Sequence, residues 1–204
     1  MRLAMPAQVR QLPLHDPAAA VREYAEIIGR LRNAPPGAAA DLEALAAEAV
    51  EGVLRQGAFL MAVVVSEVAD PALLTGVALE VPEGWDIETA DALRDSVEDV
   101  GGPDVRQTIL VESALGPVVV AQRIPGVEQV RARQPVALQL QAFVPEPGEG
   151  RMLLLTLSAP SARGWAAHQS VFTEMVASAS PSGVAPRSAE PVVDDSFEHH
   201  TFGL

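Results

Sequence analysis

The chain has 204 residues, 49% apolar and 20% charged, which is length and apolar surface enough for one sizeable core and too apolar for global disorder. A formal net charge of −13 and a pI of about 4.6 set it against phosphate backbones and anionic lipid, so neither nucleic acid nor membrane is an expected partner. All 14 basic residues are Arg and Cys is absent, which excludes Schiff-base and phosphate-loop lysines, thiol nucleophiles, disulfides and thiolate metal sites.

Residues 1–16 contain Arg2 and Arg10 but no long apolar run, so they lack the three-part secretory pattern and read as an N-terminal extension. The longest apolar stretches, around Ala58 to Val65 and Met152 to Leu157, are far short of the about 20 residues that span a bilayer, and the expected location is cytoplasmic.

Asp16-Pro17 is a helix-start signal. Val21, Tyr24, Ile27, Ile28 and Leu31 then share a face until Asn33-Ala34-Pro35-Pro36-Gly37 breaks the pattern. A second helix follows from Ala38, with Leu42, Leu45, Ala49, Val50, Val53 and Leu54 as its stripe and Gly57 as its C-terminal cap. Beyond it, Phe59 to Val68 and Leu73 to Val81 read as a hairpin around Ala69-Asp70-Pro71-Ala72.

Ile87 to Val100 is a third helix with Ala90, Leu93, Val97 and Val100 on one face, ended by Gly101-Gly102-Pro103. Four strands follow at meander spacing: Val105 to Glu112, Pro117 to Ile124, Pro135 to Val144 and Arg151 to Leu157. In the third of them Val136, Leu138, Leu140 and Ala142 alternate with polar residues, which gives that strand a wetter side. Ser161 reads as the cap of a last helix carrying Trp165, His168, Phe172, Met175 and Val176.

The fold class is therefore α+β: an antiparallel β-meander sheet of about six strands packed with N-terminal, crossing and C-terminal helices. The expected domain is 17–178. After it, 179–195 is rich in Ser, Pro, Ala and acidic residues and reads as a flexible linker, and 196–204 is a short aromatic motif.

The order helix, hairpin, helix, meander, closing strand and amphipathic helix resembles the PsbP-like α/β/α sandwich family, in an actinobacterial-type member. The resemblance spans about Ala38 to Ala179 and is strongest in Met152-Leu153-Leu154-Leu155-Thr156-Leu157-Ser158-Ala159-Pro160 with Trp165 and the run Phe172 to Ser178. These are core residues, so the resemblance implies a sandwich fold and accessory or assembly work, and it implies no catalytic position. The family's membrane-anchored members carry a lipoprotein Cys, which this chain lacks.

The chemistry-bearing residues are few. His168 is the one His of four inside a predicted ordered element, and a packed helix histidine weighs more than a base or ligand there. Ser161-Ala162-Arg163-Gly164 lacks the G-x-S-x-G elbow, and no G-x-G-x-x-G follows a strand. Asp95 with Glu98, and Glu80 with Glu83, read as solvated surface carboxylates. Asp194, Asp195, Glu198, His199 and His200 offer metal donors without a preorganised i, i+4 pair. No catalytic residue, metal site or cofactor is expected.

What remains is the terminal motif, where Phe197, His199, His200, Phe202 and Leu204 follow a linker of small and polar residues. Partner docking is favoured over folding back on the domain and over no role. The expected function is a non-enzymatic adaptor or assembly factor that binds another protein or its own homo-oligomer. The alternatives are a small-molecule binding protein or weak hydrolase with a sheet–helix pocket walled by His168 or Trp165, and a structural homo-oligomer formed through an edge strand or the first helix.

Overall fold

The computed structural model describes residues 1–31, 35–80, 84–126, 137–146 and 149–181. Helix α1 (Pro17–Leu31) starts as its sequence predicts, with Pro17 in the first turn and Asp16 Oδ1 accepting the Ala19 N–H at 3.1 Å. Helix α2 (Ala39–Arg55) is followed by Gly57, whose φ of +71° turns the chain straight into the next strand. The buried side of α2 is Ala46, Val50 and Val53, while Leu45 is 51% exposed instead of facing the core. The small Ala20 and Ala46 are both fully buried, which suits close helix packing.

The strands are β1 (Val9–Gln11), β2 (Ala58–Val64), β3 (Ala72–Glu80), β4 (Val105–Ser113), β5 (Gly116–Arg123), β6 (Leu138–Glu146) and β7 (Arg151–Ala159). Helix α3 (Ile87–Val100) lies between β3 and β4 in sequence, and α4 (Trp165–Ala177) follows β7. They form one open sheet in the order β1-β2-β3-β7-β6-β5-β4 with every pairing antiparallel. The α+β reading holds, with two differences. A seventh strand comes from residues 1–16, because three residues are too few to show alternation. The meander covers only β4 to β7: the chain crosses through α3 to the far edge, and β7 comes back to pair with β3.

Strand alternation sorts the side chains onto two faces. On one, Leu74, Val120, Leu140, Leu155 and Leu157 form the main core with Phe172, Met175 and Val176 of α4. Gln169 fixes the same helix to β5 by donating from Nε2 to Gln122 Oε1 at 2.7 Å, a buried amide–amide hydrogen bond. On the other face, Met61, Leu73 and Val77 meet Tyr24, Val50 and Val53 of α1 and α2. Helix α3 covers the β4–β5 end of that second face: the Thr108 hydroxyl contacts the Glu98 carboxylate, and Trp85 Nε1 donates to the Pro117 carbonyl at 2.8 Å. Within β6, Leu140 and Ala142 are fully buried and Gln139 and Gln141 only partly, as the alternation predicts. Pro135 and Val136 lie outside the described residues.

Residues 1–16 are woven into this body. β1 pairs with β2, Leu12 is buried, and Arg2 exchanges backbone hydrogen bonds with Ser180 at 2.8 and 3.0 Å. Ala4 N–H donates to Ser178 Oγ at 2.8 Å, so residues 1–4 are held against 178–180. The predicted linker from 182 onward and the motif 196–204 lie outside the described residues.

Candidate functional site

Asp70 joins two loops at one end of the sheet. β2 stops at Val64, four residues before its predicted end, and the following turn reaches Asp70 just before β3. There Ser161 Oγ donates to Asp70 Oδ2 at 2.6 Å, Arg163 Nη1 approaches Oδ1 at 3.4 Å, and the Asp70 N–H donates to the Arg163 carbonyl at 3.3 Å. Ser161 is thereby committed to Asp70 and does not cap α4. Gly164 is the N-cap instead, in the left-handed conformation at φ +71°.

His168, on the first turn of α4, reaches the same junction. Its Nε2 lies 2.8 Å from the Asp70 carbonyl oxygen and the residue is 1% exposed. Burial pushes its pKa below the ordinary histidine value, with the Asp70 carbonyl and carboxylate opposing in part. A carbonyl only accepts, so the bond assigns the proton to Nε2.

A pH dependence follows. The unfolded chain binds a proton near the usual histidine pKa and the folded chain only at lower pH. The stability from neutral His168 is therefore full above about pH 6.5 and falls away below it. Urea unfolding at about pH 7.5 and about pH 5.5 should show a larger acid loss for the native chain than for His168→Gln. Equal losses would remove His168 from the account.

Asp70, Ser161 and His168 are close together but wired differently from a hydrolase relay. In such a relay the imidazole stands between the hydroxyl and the carboxylate. Here Ser161 bonds the carboxylate directly and His168 bonds the backbone carbonyl.

Beside this junction, on the α1 face of the sheet, lies a cleft of about 440 Å³. Tyr24, Ile28 and Leu31 form its helical wall, Leu73 and Ser158 part of its floor, and Pro160 part of its rim. Of the α1 stripe, Val21, Tyr24 and Ile27 pack against the core, while its end at Leu31 is 38% exposed. His168 and Trp165 belong to the opposite, α4 face, and neither lines this cleft.

Of the remaining sequence candidates, Glu80, Asp95 and Glu98 do not line the cleft. Asp95 pairs with Arg94 at 3.0 Å, Glu98 is used by Thr108, and Glu80 is exposed. Glu83 and the group Asp194, Asp195, Phe197, Glu198, His199, His200, Phe202 and Leu204 lie outside the described residues. Among the described residues there is no group of three metal-donor side chains, and no helix is long and apolar enough to cross a membrane.

Fold and cleft together define an α+β domain with helices on both faces of an open antiparallel sheet and an apolar groove under its first helix. No family model, curated protein or solved structure matches the chain.

Proposed function

We propose that this protein is a non-enzymatic cytoplasmic adaptor or assembly factor that engages another protein through its folded domain and its motif 196–204. The observation that carries this reading is the use made of its polar side chains. The nearest approach to a reactive set among the described residues, Asp70 with Ser161 and His168, is committed to tying two loops together. The neighbouring cleft presents mainly apolar walls, suited to an apolar anchor from a partner. Phe197, Phe202 and Leu204 are anchors of the same chemical type at the end of a polar linker, with His199 and His200 between them. Membership of the PsbP-like sandwich family, in an actinobacterial-type form, is part of the proposal and rests on the segment Met152 to Ser178.

The test is co-purification from the native host with the full chain, a chain lacking 188–204, and Phe197→Ala/Phe202→Ala. The expected result is loss of the specific partner from both variants. Partners retained by both would take the motif out of the proposal.

The cleft itself favours a second reading. Its volume lies within the about 300 to 1,000 Å³ of small-molecule sites and its lining is largely apolar, so it also suits a small apolar ligand. His168 is buried on the other face and does not line the cleft, which supports binding over hydrolysis in this reading. Native mass spectrometry on host-purified protein separates the two, because a retained small molecule would add a fixed mass.

A further inference from the structure

Among the described residues, β4 is the outermost strand of one sheet edge and is nine residues long, whereas the other edge ends in the three-residue β1. An edge strand keeps one row of backbone N–H and C=O groups free of the sheet ladder. The two-residue turn Ala114-Leu115 makes Ser113 and Gly116 a hydrogen-bonded pair. Alternation along the register then turns the backbone groups of Ile109, Val111 and Ser113 toward β5 and those of Thr108, Leu110 and Glu112 outward.

The usual protections of an edge are thin here. Ile109-Leu110-Val111 occupies the middle with no Pro or Lys, and the bulge between Val105 and Gln107 comes only at the start of the strand. The exposed charges stand toward the two ends: Arg106 at the bulge and Glu112 near the hairpin. These two are six residues apart, about 20 Å along a strand, too far to pair within one chain.

They are placed to pair between two chains. A two-fold axis through Ile109 sets β4 antiparallel to β4 of a second copy, opposing Thr108 to Leu110 and Arg106 to Glu112, each twice. Thr108 and Leu110 turn their backbone groups outward and meet as the antiparallel ladder requires, while Arg106, the residue of the bulge, contributes its exposed side chain opposite Glu112. Opposite charges directly across a ladder stabilise the pairing. A net charge of −13 per chain opposes self-association in general, so such pairing needs a locally matched register.

We propose that the β4 edge binds a second copy of this chain, joining two seven-stranded sheets into one continuous sheet. This goes beyond the tail-and-cleft proposal and does not depend on it.

Light scattering on the full chain at high micromolar concentration tests it, and the expected mass is twice the 21.4 kDa of one chain. Arg106→Glu and Glu112→Arg each turn two attractive pairs into repulsive ones and should weaken the dimer about tenfold. Combining the two reversals should restore it, while circular dichroism confirms that all variants are folded. Deleting 188–204 should leave the dimer intact, which separates this contact from one made by the tail. A monomeric native chain would overturn the proposal. So would a dimer indifferent to either single reversal, one not restored by the double reversal, or one lost with the tail.

Discussion

Gly164→Ala is expected to cost about 3 kcal/mol or more, from left-handed strain of roughly 1–2 kcal/mol and overpacking of roughly 1–3 kcal/mol. At Gly164 φ is +71°, and an added Cβ would collide with the Cα and Cβ of Ala69 and come within 2.6 Å of the Val68 carbonyl oxygen. Backbone atoms cannot swing aside as a flexible side chain would. The two loops joined through Asp70 would have to separate, or α4 would have to start elsewhere. Thermal unfolding should show a melting point lower by about 6–12 °C for a chain of this size. Gly57→Ala is the internal comparison, since Gly57 has the same φ and no atom within 4 Å of an added Cβ. Its cost should be near 1 kcal/mol, from backbone strain alone. Equal losses at the two sites would show that the approach of Ala69 to Gly164 is not what makes that glycine necessary.

Phe172→Ala should cost about 4 kcal/mol, through lost burial and the cavity left behind. Phe172 is fully buried and sits in the main core between α4 and the sheet, beside Met175 and Val176. The adjacent Gln169–Gln122 bond holds α4 in a fixed position and limits its collapse into the space. Urea denaturation is the direct measurement, and Phe172→Leu, which keeps most of the volume, should lose far less. A loss below about 1 kcal/mol for the alanine variant would mean that α4 contributes little to the stability of the sheet.

Local signals were legible where their cause is local. Asp16-Pro17 marks the start of α1, Gly57 the end of α2 and Gly101 the end of α3, because caps and breakers act within one turn of chain. Strand order was not legible. Alternation in β6 says which residues share a face and nothing about which strand lies alongside. The pairing of Leu74 with Leu157 spans most of the domain. Leu45 and Val100 were misplaced for a related reason: the helical period predicts a stripe, but its burial depends on where the helix leaves its support, and Val100 is 82% exposed at the last turn of α3.

The candidate site was less legible than the fold. Asp70-Pro71 reads as turn punctuation, whereas the partner that gives Asp70 its role, Ser161, is 91 residues away. The wall of the cleft carries the same helical spacing as a core face. Only the sheet, by lying under part of α1, leaves Ile28 and Leu31 lining a groove.

The place of β7 has a consequence for how the chain is made. β1 to β3 form one group of paired strands and β4 to β6 another, and β7 is the strand hydrogen-bonded to both, through β3 and β6. As the polypeptide leaves the ribosome, neither group can complete its ladder until Ala159 has emerged. A nascent chain halted before β7 would hold β3 and β6 as two open edges. It is then most exposed to mispairing with other chains, until the last strand arrives.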